Sequence, residues 1–153
     1  MDEGEGARER RRVGVGRDRH LAAAGGLAMS DATATGDGVF PLIVETGIGV
    51  DLTGDDATKA AVRAVEDTIR RVLFPGMRDV LPGRDRANMR VEATIAVPGA
   101  DRVDVDDVRG RFPYGKVTAR AVEGGHRQPN GLIGDDGTEG VILVAVAVIA
   151  VGW

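Results

Sequence analysis

The run from Val141 to Val151 (Val-Ile-Leu-Val-Ala-Val-Ala-Val-Ile-Ala-Val) is apolar at every position, and most of its side chains are β-branched. Its length is about half of what a bilayer span requires, so it reads as a β-strand covered on both faces. In a chain of 153 residues, one domain's worth, such a strand requires a sheet around it and a layer on each side.

The partners of that strand are visible upstream. Met89, Val91, Ala93, Ile95 and Val97 alternate with Arg90, Glu92, Thr94 and Ala96, a period of two that ends at Pro98-Gly99. Lys116 to Glu123 alternates in the same way, and Val39 to about Thr46 supplies a first strand. Between them, Ala57 to Phe74 repeats at helical period, with Ala61, Val65, Ile69 and Val72 on one stripe and Asp55 or Asp56 as N-cap, and Pro75-Gly76 stops it. Asp104 to Arg111 reads as a short helix with Val105 and Val108 inward, while residues 77 to 88 and Gly124 to Gly137 read as loops. The order is β-α-β-α-β-β, an α/β fold in which a four-stranded sheet carries two helices on one face. Two helices cover only that face, so the other is expected in a homo-oligomer interface, with Arg90, Glu92, Thr94 and Arg120 converging at subunit junctions.

This domain spans residues 39–153. Residues 1–38 show no period long enough to bury a face and are expected to be a disordered leader, with Met29 as an alternative start that leaves residues 1–28 untranslated. The net charge of −4 and the 3% aromatic content offer neither a polybasic face nor stacking platforms, so nucleic acid is not expected as a partner. The chain has no cysteine, and its one serine, Ser30, lies in the leader; Ser and Cys nucleophiles are therefore excluded, and the cytoplasm is the expected compartment. Histidine occurs only at positions 20 and 126, which leaves a histidine-ligated metal without ligands, and no metal or cofactor is assigned. No membrane segment or signal peptide is read.

The stretch from Gly47 to Lys59 is read as a glycine-rich turn between the first strand and the first helix. Its Gly47-Ile48-Gly49 pair lacks the third glycine of a dinucleotide loop, since Leu52 stands there, and the P-loop spacing also fails. Two readings remain. Backbone N–H groups of Gly54 to Ala57 can hold a small anion at the helix N-terminus, or the glycines and carboxylates serve only to turn the chain and cap the helix. The ligand-binding candidates are Asp51, Thr53, Gly54, Asp55 and Lys59, and the catalytic candidates are Lys59 and His126. Lys59 is one of two lysines among 18 arginines, and His126 sits on a glycine-rich loop.

The string from Thr46 to Val65 (Thr-Gly-Ile-Gly-Val-Asp-Leu-Thr-Gly-Asp-Asp-Ala-Thr-Lys-Ala-Ala-Val-Arg-Ala-Val), with Thr94-Ile95-Ala96-Val97-Pro98 and Ala121-Val122-Glu123-Gly124-Gly125, resembles a family of short conserved hypothetical proteins of bacteria and plants. The resemblance covers nearly all of residues 42 to 150 and brings no activity with it. Members usually carry His-Gly-Gln where this chain has Thr53-Gly54-Asp55. Gly137-Thr138-Glu139-Gly140 is also similar to a segment of the ring-opening amidohydrolases, cyanuric acid hydrolase and barbiturase, whose Toblerone fold joins three sheet-and-helix repeats around a site served by serine and lysine. The serine position falls on Asp135, and the lysine position falls near Glu45 to Gly47. That likeness implies a stand-alone repeat assembling as a homotrimer without the catalytic pair, binding a small polar or anionic molecule. The alternatives are a hydrolase or isomerase of a small cyclic amide or carbonyl compound, using Lys59, His126 or the Asp51 and Asp55 carboxylates, and a structural protein with no ligand.

Overall fold

The computed structural model describes residues 39–153, and the leader expected over residues 1–38 lies outside them. Strand β1 (Pro41–Asp51) is followed by helix α1 (Ala57–Arg71), a four-residue helix α2 (Met77–Val80) and two short 3-10 turns. Then come β2 (Arg90–Ala96), helix α3 (Val105–Arg109), β3 (Lys116–Val122), β4 (His126–Ile133) and β5 (Glu139–Gly152). They form a mixed α/β domain around one sheet ordered β1-β5-β2-β3, with β4 also on β5. The expected sheet of four strands is therefore one of five.

The apolar run is the centre of the sheet, as its composition requires. β1 pairs antiparallel with β5 along nearly its whole length, from Gly152 to Leu143. On the other flank β2 takes residues 146–152 of β5 and β4 takes residues 139–144, while β3 runs parallel to β2. On the helix side β5 buries Val141, Leu143, Ala145, Ala147 and Ile149 against Val91, Ala93 and Ile95 of β2 and against α1. Each large apolar side chain that is fully buried here, such as Ile95, Leu143 or Val65, contributes about 1.5–3 kcal/mol relative to leaving it in water. The opposite face of β5 is only half-covered, with Val148 at 43% exposure, so coverage on both faces is not met within one chain.

Helix α1 lies against β1 through small residues. Ala57, Ala60, Ala61 and Ala64 are buried, and Gly47 and Gly49 sit beneath them. A Cβ on Gly49 would stand 2.0 Å from the Ala60 carbonyl oxygen, and one on Gly47 would stand 2.2 Å from that of Ala64. These glycines are strand residues that let a helix approach the sheet closely, so β1 runs on to Asp51 and the turn begins only at Leu52. Asp56 is the N-cap, accepting from the Lys59 amide at 2.9 Å, and the helix stops at Arg71, short of the expected Phe74. Leu73 then stands exposed. On α1, Asp67 meets Arg71 one turn further along the helix, and Glu66 meets Arg111 from beyond α3.

β4 was expected to be loop. It contains Pro129, Asn130 and Gly131, it alternates nothing, and all but Asn130 of its residues are exposed, so no burial pattern marks it. Its pairing with β5 carries it, along with a bulge between Pro129 and Ile133.

Candidate functional site

The turn from Leu52 to Asp56 is organised around a carboxylate it encloses. Asp51, the last residue of β1, is fully buried, and its Oδ2 accepts from the Gly54 amide at 2.9 Å and the Asp56 amide at 3.1 Å. Its Oδ1 meets Lys59 Nζ at 2.7 Å, with Arg63 Nη1 at 3.9 Å behind it. Burial pushes this carboxyl's pKa up, but Lys59 and the two amides outweigh burial and hold it below its ordinary value. Two of the amides that a small anion would use at the start of α1 thus serve the chain's own Asp51. A Cβ at Gly54 would stand 2.9 Å from Asp51 Oδ2, so a side chain there would have to displace that carboxylate.

Asp55 points the other way. Its backbone is left-handed, with φ at 50°, an uncommon conformation for a non-glycine residue. Its carboxylate joins two distant parts of the chain: Arg127 of β4 donates through Nε at 3.2 Å and Nη2 at 3.3 Å, and Arg102, from the turn before α3, donates to Oδ2 at 3.4 Å and to the Asp55 carbonyl at 3.0 Å. Arg127 above all, with Arg102, holds the Asp55 carboxyl below its ordinary pKa against the opposing effect of burial. Thr58 ties the same elements together, donating to the Arg102 carbonyl at 3.3 Å and accepting from the Asp104 amide at 2.9 Å.

The turn and the β4–β5 hairpin enclose a cleft of about 420 Å³. Thr53, Gly54 and Asp55 form one wall; Arg127, Asn130, Thr138 and Glu139 stand on the other, with Asp136 at the hairpin tip. Asn130 braces the walls by donating to the Leu52 carbonyl at 2.8 Å. Leu132 and Ile133, 61% and 66% exposed, rim the cleft. Of the residues singled out from the sequence, Thr53, Gly54 and Asp55 line this space, while Asp51 and Lys59 lie behind it as a pair. His126 pairs with Val144 on the opposite sheet face and contacts Gln128 at 3.2 Å, so it and Lys59 are not brought together. Arg127 and Asn130 were not found from the sequence; only recognising β4 as a strand would have placed them opposite the turn.

A second polar group lies on the sheet face away from the helices. Glu92, Thr94 and Arg120 share that face on neighbouring strands, with Arg120 Nε donating to Thr94 Oγ1 at 2.9 Å. Beside them the face is apolar, with Val44, Ile48, Val122 and Val148 all exposed. Among the described residues no group of three or more His, Asp or Glu could hold a metal ion, and no helix is long and apolar enough to cross a membrane.

Fold and cleft together define a small single-sheet α/β domain with a polar, hairpin-walled recess. Residues 41–151 match the Lin0512 family of conserved hypothetical proteins, and the chain belongs to that family. A crystal structure from Nostoc punctiforme, described as an FtsZ-like protein of unknown function, is similar to it: 30% identical, with a TM-score of 0.67, covering 74% of this chain and 97% of that one. Comparison with curated proteins returns no match.

Proposed function

We propose that the protein is a cytoplasmic homo-oligomer, a trimer of Toblerone-like subunits, that binds a small polar molecule in the cleft between the Leu52–Asp56 turn and the β4–β5 hairpin, at a subunit junction. The observation that carries the reading is the cleft itself: a recess of about 420 Å³ between two braced walls, with an apolar rim at Leu132 and Ile133 that a neighbouring copy would cover. The exposed apolar strip of Val44, Ile48 and Val148 on the open sheet face supplies the surface for assembly.

The charges of the cleft narrow the ligand. Asp55 neutralises Arg127, and Asp136 and Glu139 remain as carboxylates. With Asn130, Thr53 and Thr138 beside them, the lining favours a neutral or cationic molecule rich in hydrogen-bond donors over an anion. A thermal-shift screen of small amides, amines, cyclic ureides and phosphate tests this. Donor-rich compounds are expected to raise the melting temperature of the parent and not of Asn130→Ala or Thr53→Ala. A screen in which nothing stabilises the parent would leave the structural reading, and phosphate alone stabilising it would reverse the ligand class.

A further inference from the structure

Strand β1 forms one margin of the sheet: among the described strands only β5 pairs with it. A marginal strand presents a row of backbone N–H and C=O groups that templates the addition of another strand. On β1 three of those groups are engaged by side chains of α1. The Thr46 carbonyl accepts from Arg71 Nη2, the Ile48 amide donates to Asp67 Oδ2 at 3.0 Å, and the Val50 carbonyl accepts from Arg63 Nη1.

The spacing makes this a matched ladder. Arg63, Asp67 and Arg71 stand four apart and so form one row along the helix, about 6 Å from one to the next. Thr46, Ile48 and Val50 stand two apart on one edge of the strand, about 6.8 Å from one to the next, so the two rows remain in step over three rungs. The sequence of donor, acceptor, donor on the helix meets carbonyl, amide, carbonyl on the strand, the complement that an incoming strand would otherwise provide. Asp67 is fixed in turn by Arg71 at 2.8 Å. Exposed ion pairs of this kind contribute little by themselves, so the directed bonds to the strand backbone are what the row adds.

We propose that Arg63, Asp67 and Arg71 act as a surrogate strand that closes the β1 edge to strand addition, so that copies of this chain meet through the open sheet face and not by extending the sheet across β1. The second half rests on the oligomer reading above, while the first stands without it. The test compares the parent, the triple variant Arg63→Ala/Asp67→Ala/Arg71→Ala and a control with the same charge change outside α1 and β1, Arg78→Ala/Asp79→Ala/Arg84→Ala. Light scattering over a concentration series reports association, and amide exchange at low concentration reports the Ile48 N–H.

In the triple variant Ile48 is expected to exchange at least about tenfold faster than in the parent, and mass is expected to grow with concentration, with the control matching the parent. If Ile48 exchange and the concentration dependence of mass equal those of the parent, the proposal is overturned. Should the triple variant fail to fold, Asp67→Ala alone decides by the same exchange measurement, since it removes the acceptor and leaves both guanidiniums. A monomeric parent would end the oligomer reading but would leave the edge reading to the difference between variant and parent.

Discussion

Gly49→Ala would place a methyl group 2.0 Å from the Ala60 carbonyl oxygen, 2.2 Å from the Ala64 nitrogen and 2.8 Å from the Arg63 carbonyl carbon. All three obstacles are backbone of α1, so no side-chain rotation relieves them. Ordinary contact begins near 3.4 Å against the 2.0 Å found here, so the helix must lift by about 1.4 Å. That lift separates Ala57, Ala60, Ala61 and Ala64 from the sheet and loosens Val65 beside them. Overpacking costs about 1–3 kcal/mol where side chains can adjust, and a backbone obstacle puts this site at the upper end, about 3 kcal/mol. For a domain of this size that is a fall in melting temperature of roughly 12 °C, read by circular dichroism or calorimetry. Gly76→Ala is the control: its φ is −77° and the nearest atom to the new Cβ is Phe74 Cε2 at 3.8 Å, so a change within about 0.5 kcal/mol is expected. If Gly49→Ala melts with the parent, the close helix–strand contact is not what the glycine serves.

Asp51→Asn keeps the side-chain shape but leaves Lys59 facing an uncharged amide. Breaking a fully buried pair costs about 3–5 kcal/mol, and because Lys59 is 45% exposed the expected loss here is about 2 kcal/mol, read by urea unfolding. Acid titration gives a second outcome. The Asp51, Asp55 and Asp67 carboxyls lie below their ordinary 3.8 in the folded chain, so the unfolded chain binds protons first as pH falls. Their stabilisation is fully present well above pH 3.8 and is lost as pH drops through the lower folded values, so melting temperature should be flat near neutrality and fall below about pH 4. Asp51→Asn should shrink that acid-side fall, and an unchanged profile would show that the pair is not linked to folding.

Much of the fold was legible because burial imposes a period. β2 shows it most clearly: Val91, Ala93 and Ile95 are buried in strict alternation, and the period of two was read correctly there. The same holds for α1, whose buried Ala61 and Val65 follow from the residues themselves and whose cap, narrowed by sequence to Asp55 or Asp56, is Asp56. Gly47 and Gly49 misled because glycine marks a turn and a close backbone approach with the same letter, and only the position of α1 distinguishes them. β4 was hidden because an exposed strand has no inward face to pattern, and with it went Arg127 and Asn130, half of the cleft. The turn residues Thr53, Gly54 and Asp55 could be singled out from local chemistry, whereas what stands opposite them depends on a strand 72 residues further along, which Arg127 with Asp55 now records.

The central claim, assembly through the open sheet face around the hairpin cleft, is tested most directly by light scattering coupled to size exclusion on the parent and on Ile48→Asp. The account expects the parent at three times the 16.0 kDa chain mass and Ile48→Asp, which puts a charge in the exposed apolar strip without touching the helix-side core, as a folded monomer. A parent that elutes at a single chain's mass, or an Ile48→Asp variant that keeps the parent's assembly, would contradict it.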